Sequence, residues 1–248
     1  MLSMNSARKL LRKILLILCL IVLAAWSSSY YSQWAVRWRA QNLLSEVRAL
    51  NVNQSHFTDA QPLIKKWAAY GAPVGACTSD SCVYRITLVQ VLPPFAVGYP
   101  DKGVHNWLPR LADHLALRSV AVRAGFSVKN GVVASKWFAE QVSLPVSAWG
   151  PPGGTFIPDL AISSGEFSAF TPNAGPDSPS HPYLRIRDWH GPYGITVQFL
   201  PQEDPSEQTA LMDFRLTCIT RYSPCRSQSD ILPEALRILQ QEPYPPTR

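Results

Sequence analysis

The chain has 248 residues, of which 46% are hydrophobic and 22 are proline, and its formal net charge is +6. This composition excludes a disordered or low-complexity chain, and the length allows one sizeable domain plus an anchor, or two small domains. Four bases precede the first apolar run and carry most of the net charge: Arg8, Lys9, Arg12 and Lys13. Because the basicity belongs to this targeting segment, we expect no nucleic-acid partner.

The N-terminal segment has the pattern of a membrane anchor. The chain carries no charge from Ile14 to Val36, and such a stretch is long enough to cross a bilayer of roughly 30 Å. Interfacial aromatics follow at Trp26, Tyr30, Tyr31 and Trp34. Four bases before the span place the N-terminus in the cytoplasm by the positive-inside rule.

This pattern divides the chain into three parts. Residues 1–13 are predicted to be a cytoplasmic basic tail, residues 14–36 a transmembrane anchor in the lipid bilayer, and residues 37–248 an extracytoplasmic α+β domain. The expected location is a single pass through the inner (plasma) membrane. A cleaved signal is the main alternative, since Val22–Ala24 and Ala25–Ser27 resemble cleavage sites. A soluble cytoplasmic protein with a buried N-terminal helix fits the adjacent bases poorly.

Helical patterns come first after the span. Leu43, Leu44 and Val47 recur at helical spacing, so we expect the first helix to continue out of the membrane. A second helix is predicted to begin at a capping box at Thr58 and to end at Gly71. A short helix is predicted within residues 105–117.

Strand patterns follow. "CVYRITLVQVL" alternates from Cys82 and predicts a strand. Asn130-Gly131 between alternating runs predicts a hairpin with a type I′ turn. With Lys129 opposite Val132, the expected register puts one set of side chains on a shared face: Ala124, Phe126, Val128, Val133, Ser135 and Trp137.

The C-terminal half predicts a short strand in "LAISSGEFSAF" and a second hairpin in "YLRIRDWHGPYGITVQFL". A last strand is expected in "LMDFRLTC", followed by a terminal helix N-capped by Asp230. The predicted fold class is therefore α+β: an N-terminal transmembrane helix, then helices packed on an antiparallel sheet of about five or six strands with two hairpins.

Four cysteines lie outside the apolar run, and an even number in an exported domain indicates disulfides: Cys77, Cys82, Cys218 and Cys225. Local pairs are favoured because turn formers lie between the cysteines of each pair. A long cross-link is an alternative, since a longer loop gains more from closure. A four-cysteine zinc site is a further alternative, although the C-x6-C spacing is unusual for it. No C-x-x-C redox motif is present.

Residue patterns for catalysis are weak. Asp188, Trp189 and His190 lie near the predicted tip of the second hairpin, where an acid/base or metal pair competes with an ordinary solvated turn. Ser163, Ser164 and Glu166 have no histidine base in their sequence context. No histidine pattern has metal spacing. We therefore predict no catalytic residue, no cofactor and no metal ligand.

Four tryptophans are predicted to lie in or beside loops and hairpin ends: Trp107, Trp137, Trp149 and Trp189. They either line a ligand or glycan groove or fill the core beneath long loops. Because aromatic side chains are generally buried, we expect the tryptophans to fill the core.

The order of anchor, "LLSEVRALNV", "DAQPLIKKW", a cysteine pair before a strand and "DFRLTC…CRS" resembles that of bacterial single-span envelope proteins. The resemblance implies a place in the envelope and no activity. We therefore expect a membrane-anchored extracytoplasmic binding or scaffolding protein with an envelope protein as its partner. The alternatives are an envelope hydrolase, whose site is assembled from distant residues, and a ligand-binding module that uses the loop tryptophans.

Overall fold

The computed structural model describes residues 4–90, 115, 118–143, 159–172, 174–175, 180–188, 194–223, 225 and 227–241. Apart from Leu115, the helix predicted within 105–117 lies outside these residues. Within them the chain is α+β, with helices on a sheet, as the sequence predicted.

The first element is one continuous helix, α1, Met4–Arg48. Its N-terminal half exposes a run of apolar side chains from Leu10 to Leu23. Among the described residues this is the one helix long and apolar enough to cross a membrane, a property that a signal sequence shares. Its C-terminal half packs on the sheet through the buried Ala40, Leu43 and Val47, so the predicted continuation of the helix is confirmed.

The strands are β1 Gly71–Pro73, β2 Ser81–Gln90, β3 Val120–Lys129, β4 Val132–Ser143, β5 Asp159–Phe167, β6 Leu184–Asp188 and β7 Gly194–Phe199. In the described part of the chain they form one sheet of order β1-β2-β3-β4-β5-β7-β6. The sheet therefore has seven strands, where about five or six were predicted.

The sheet is also mixed, whereas the prediction was antiparallel throughout. Strand β7 runs parallel to β5, and every other neighbouring pair is antiparallel. The reason is the connection after β5. The chain crosses to the far edge, forms β6 there and returns through the second hairpin, so β7 enters beside β5 in the same direction.

The first hairpin confirms its predicted turn and corrects its predicted register. Asn130 and Gly131 have φ of 52° and 77°, as a type I′ turn requires. Val128 still pairs with Val133, but Ser127 pairs with Ser135, so the ladder shifts by one residue. This β-bulge turns the rest of β4 over. Trp137 consequently lies on the face opposite Phe126, and the prediction that they share a face was wrong.

The core lies between one face of the sheet and the helices. Strand side chains such as Tyr84, Ile86, Phe126 and Phe138 are fully or almost fully buried there. Besides α1, the α-helices in the described part of the chain are α2 Phe57–Lys66, α3 Pro205–Leu211 and α4 Pro233–Gln241. The second hairpin is confirmed, and it buries one set of side chains: Leu184, Ile186, Ile195, Val197 and Phe199.

The segment "LMDFRLTC" is not a strand. Met212, Phe214, Leu216 and Cys218 are buried as the alternation predicted, but the chain turns into a 3-10 helix at Leu216–Ile219. The alternation arises because this segment lies on the core and pairs Arg215 N with Ile231 O instead of joining the sheet. The terminal helix begins at Pro233, and Asp230 ends a preceding 3-10 turn, so the predicted N-cap was also wrong.

The local disulfide pairs are confirmed, with bonds between Cys77 and Cys82 and between Cys218 and Cys225. Cys19 is a free, exposed thiol on α1. The buried Arg118 holds the second disulfide loop by donating to the carbonyl oxygens of Cys218, Arg221 and Tyr222 at 3.0, 2.6 and 3.1 Å. One guanidinium thus satisfies three carbonyl groups in the 3-10 helix Leu216–Ile219 and in the residues that follow it.

Candidate functional site

The sheet has a second face, opposite the core, which we call the open face. Alternation along each strand sends every other side chain to it. Its exposed members include Val83, Arg85 and Arg123. In the part of the chain that the structure describes, the helices pack on the core face, and this face is the one that remains available to a ligand.

One row of paired residues crosses the open face from strand to strand. Strand pairing aligns six positions in order: Arg85, Gly125, Trp137, Gly165, Gln198 and Arg185. Neighbouring strands are about 4.8 Å apart, so the two arginines at the ends of the row are roughly 24 Å apart. A single aromatic residue therefore lies near the middle of a row with a cation at each end.

Glycine on both sides lets Trp137 lie down on the sheet. A Cβ at Gly125 would come within 2.8 Å of the Trp137 ring, and one at Gly165 within 2.6 Å of Trp137 Cβ. Any side chain at these two positions would push the indole away from the sheet. The glycines thus hold the ring as the floor of a groove, with its outer surface turned to the ligand side.

The chain after β5 packs against β6 and β7 at the edge of the open face. Thr171 donates from its backbone N–H to Gln198 Oε1 at 3.1 Å, and the Gln198 side-chain amide donates to Thr171 Oγ1 at 2.7 Å. The Arg185 guanidinium lies 4.3 Å from the centre of the Phe170 ring. These contacts hold Phe170 and Thr171 against the edge of the open face.

The resulting groove has a volume of about 540 Å³. Its lining combines the Trp137 ring, the cations Arg85 and Arg123 and, across the floor, hydroxyl and amide groups of Ser163, Thr196 and Gln198. Ser163 Oγ donates to Thr196 Oγ1 at 3.1 Å, which orients both hydroxyls. A second hollow of about 430 Å³ along β1 shares Arg85 and extends the groove toward that edge.

All the charged strand side chains that the structure describes on the open face are basic. The residues are Arg85, Arg123, Lys129, Arg185 and Arg187, and no described strand side chain on this face is a carboxylate. Two other acids of the sheet, Glu140 of β4 and Glu166 of β5, face the core. The net charge of the chain does not reveal this face. Acidic and basic residues cancel in the net charge, whereas the alternation of side chains along a strand places them on opposite faces of the sheet.

A buried carboxyl group lies on the other side of β4. Glu140 is fully buried, and neither of its oxygens has a hydrogen-bond partner among the described residues. Burial raises the pKa of Glu140 to about 8, and the nearby positive charge of Arg37 on α1 only partly opposes this. The carboxyl group is therefore protonated at neutral pH and belongs to the packing between α1 and the sheet.

Of the candidate hairpin-tip residues and tryptophans, only Asp188 and Trp137 lie in the part of the chain that the structure describes. Asp188 ends strand β6, while Trp189 and His190 lie outside the described residues, so the predicted pair stays a prediction. Of the four tryptophans, Trp137 lies in mid-strand and lines the groove, and Trp107, Trp149 and Trp189 lie outside the described residues.

The serines of "SSGEF" do not come together. Strand alternation puts Ser163 on the open face, whereas Ser164 and Glu166 face the core, where Glu166 pairs with Lys136. Glu166 is thereby committed to a buried ion pair. This arrangement does not assemble a nucleophile with an acid.

Comparison of the chain with protein-family models, with curated proteins and with solved structures finds no match. The groove on the open face is the candidate site of this chain. Its aromatic floor, paired hydroxyls and cations form a surface suited to binding, with no general base among the residues that line it.

Proposed function

We propose that this chain is a membrane-anchored extracytoplasmic binding protein that holds an acidic glycan in the groove of the open face. The observation that carries the proposal is the position of Trp137, which is flanked by Gly125 and Gly165 and lines a groove that Arg85 and Arg123 also line. Sugar rings present an apolar face that stacks on an indole, and an arginine pairs with a carboxylate in a bidentate manner.

The polar lining supports a sugar more than a purely apolar ligand. Ser163, Thr196 and Gln198 line the same groove as Trp137 and contribute hydroxyl and amide groups to it. Arg123 donates to Gln141 Oε1 at 3.3 Å, a neutral partner, and in the described part of the chain no carboxylate pairs with Arg85 or Arg123. Cations without an acidic partner favour a ligand that brings its own negative charge.

The anchor and the disulfides support the extracytoplasmic location. Disulfides persist in oxidising compartments, and the bases before the span favour a cytoplasmic N-terminus. Cleavage near Ala24 or Ser27 would cut α1 within its continuous helical run. We therefore favour an uncleaved anchor in the inner membrane, with the domain attached directly to its helix.

Contacts to the helix also orient the domain. Gln90 donates to Ser29 O, and Gln33 donates to Arg118 O, both at 3.3 Å. Ser29 and Gln33 belong to the C-terminal part of the predicted span 14–36, so the end of the sheet that holds the C-terminus of β2 and the N-terminus of β3 packs beside that part of the helix. The groove, in the middle of the strands, is then held a short distance from the bilayer.

The test uses the full chain in detergent or nanodiscs. Tryptophan fluorescence is followed while an acidic oligosaccharide (oligogalacturonate), a neutral one (cello-oligosaccharide) and an acidic peptide (oligoglutamate) are added. The acidic oligosaccharide is expected to bind, and Trp137→Ala and Arg123→Ala to weaken binding about tenfold or more, as the loss of one charged hydrogen bond does. Lys129→Ala is the matched control for Arg123→Ala, because Lys129 lies on strand β3 and on the open face, as Arg123 does, but does not line the groove.

Binding of the acidic oligosaccharide that Trp137→Ala leaves unchanged would contradict the proposed site. Stronger binding of the acidic peptide would favour a protein partner over a glycan. No response to any of the three ligands would reject the groove as a site for anionic ligands.

A further inference from the structure

Three potential metal ligands meet at one end of the β6–β7 hairpin, one from before β6 and two from after β7. His181 precedes β6, Glu203 lies in the turn after β7, and Glu207 lies in the first turn of α3. Leu184 pairs with Phe199, and Leu200 N donates to Tyr183 O at 2.9 Å, which brings the entry of β6 beside the exit of β7. The pairing of the two strands thus creates the cluster.

The turn that carries the two glutamates is held by its own hydrogen bonds. The side-chain amide of Gln208 donates to Pro201 O and Glu203 O at 3.1 and 2.7 Å. Asp204 caps α3 by accepting from Ser206 N at 2.8 Å. Glu203 and Glu207 are therefore presented from a fixed backbone, as a preorganised site requires.

Their side chains converge. One ligand atom from each of His181, Glu203 and Glu207 lies within 4.8 Å of the others, and His181 Nδ1 is 3.2 Å from Glu207 Oε2. Glu203 is only 8% exposed. Its Oε1 accepts from Asp204 N at 3.1 Å, but its Oε2 is buried without a hydrogen-bond partner among the described residues. A buried oxygen without a partner is costly unless something else binds it.

We propose that His181, Glu203 and Glu207 form a binding site for a divalent transition-metal cation of the zinc class. An imidazole nitrogen with carboxylate oxygens is a typical ligand set for Zn²⁺, at bond lengths of about 2.0–2.2 Å. Tetrahedral ligands at those distances are roughly 3.5 Å apart, so a small closure of the cluster suffices. Three protein ligands leave a fourth position for water.

The competing occupant of this cluster is a proton shared between the two carboxyl groups. Arg237 of α4 also contributes positive charge near Glu207, while it pairs with Glu234. These groups alone would make the cluster a salt-bridge network without a metal. Stoichiometric metal binding distinguishes the two occupants, because only a metal site predicts it.

The experiment measures binding of Zn²⁺ to the full chain in detergent after treatment with a chelator, by calorimetry and by metal analysis after dialysis. One equivalent of Zn²⁺ is expected. His181→Ala and Glu203→Gln should each weaken binding at least tenfold, since even loss of an outer-shell partner costs about that much. Glu234→Gln is the matched control, because Glu234 is a nearby acid outside the cluster.

A second measurement needs no variant. Diethylpyrocarbonate modifies accessible imidazoles, and His181 has a side chain that is 20% exposed. Bound Zn²⁺ is expected to slow modification of His181, read by peptide mass spectrometry, and to leave His56 unaffected. Absence of stoichiometric binding, or binding that neither protects His181 nor responds to His181→Ala and Glu203→Gln, would overturn the proposal.

Discussion

Lys136 and Glu166 form an ion pair of 3.0 Å on the core face of the sheet, with side chains only 9% and 8% exposed. The ammonium group of Lys136 also donates to the carbonyl oxygens of Arg48 and Leu50, at the end of α1. Lys136 therefore joins the helix α1 to β4 and β5. A cation at this position also complements the negative end of the helix dipole.

Replacement of Lys136 by Met is expected to destabilise the domain by about 3–5 kcal/mol, because it leaves the Glu166 carboxylate buried without its partner. Adding Glu166→Leu to this variant should recover most of the loss, since an apolar pair can replace a buried ion pair. The measurement is chemical unfolding followed by circular dichroism. Lys129→Met, at the exposed end of the same hairpin, is the control and should change stability little. Equal losses in the single and the double variant would contradict this account.

Stability should fall as the pH rises because of Glu140. Its pKa is about 8 in the folded chain and near 4.5 in the unfolded chain, so between these values the folded state keeps a proton that the unfolded state has lost. The free energy of unfolding then decreases by up to about 1.4 kcal/mol per pH unit within that window and levels off above pH 8.

Glu140→Gln is expected to remove this slope, because an amide does not titrate. The variant should match the parent near pH 5 and exceed its stability at pH 8 and above, as measured by thermal unfolding across the pH range. Glu234→Gln, which changes a partly exposed acid, should retain the parent slope. A parent slope that survives in Glu140→Gln would assign the effect to another group.

The two disulfides should differ in their resistance to reduction. Cys77 is exposed, whereas Cys218 and Cys225 are both fully buried. Thiol–disulfide exchange requires access of the attacking thiolate, so dithiothreitol should open Cys77–Cys82 first under native conditions. Alkylation followed by mass spectrometry reports each pair separately. Equal rates for the two bonds in the folded protein would contradict the burial of the second.

The groove should be sensitive to the smallest side chain at Gly165. A Cβ there would come within 2.6 Å of Trp137 Cβ and 2.7 Å of Lys136 O. Gly165→Ala is therefore expected to destabilise the sheet by about 1–3 kcal/mol and to displace the indole. The readouts are unfolding and tryptophan emission. Trp137→Ala should partly rescue Gly165→Ala, and the absence of any coupling between the two changes would count against the contact.

Local patterns predicted much of the fold. The Asn130–Gly131 turn, the helical spacing of Leu43 and Val47, and the turn formers between paired cysteines each act over a few residues, and the structure confirms all three. The alternation in "LMDFRLTC" misled because burial every second residue does not require a strand. It requires only a chain that lies along a core.

The candidate sites depended on contacts that no local pattern contains. The bulge opposite Ser127 reversed the faces of β4, which placed Trp137 on the open face and Lys136 and Glu140 in the core. A one-residue shift of this kind inverts every later side chain, so no count of residues from the turn could have predicted the groove.

The amino-acid sequence by itself determined the long apolar N-terminal helix, the two disulfides and the α+β class, because hydrophobic length, cysteine spacing and period-two or helical patterning act within short segments. The tertiary structure decided which strands became neighbours and which face each side chain took. It alone aligned Arg85, Gly125, Trp137 and Gly165 in one row and brought His181 to Glu203 and Glu207. These contacts arise from strand pairing between distant segments of the chain. The hydrogen bonds between the strands and the burial of one face of the sheet determine which of those residues become neighbours.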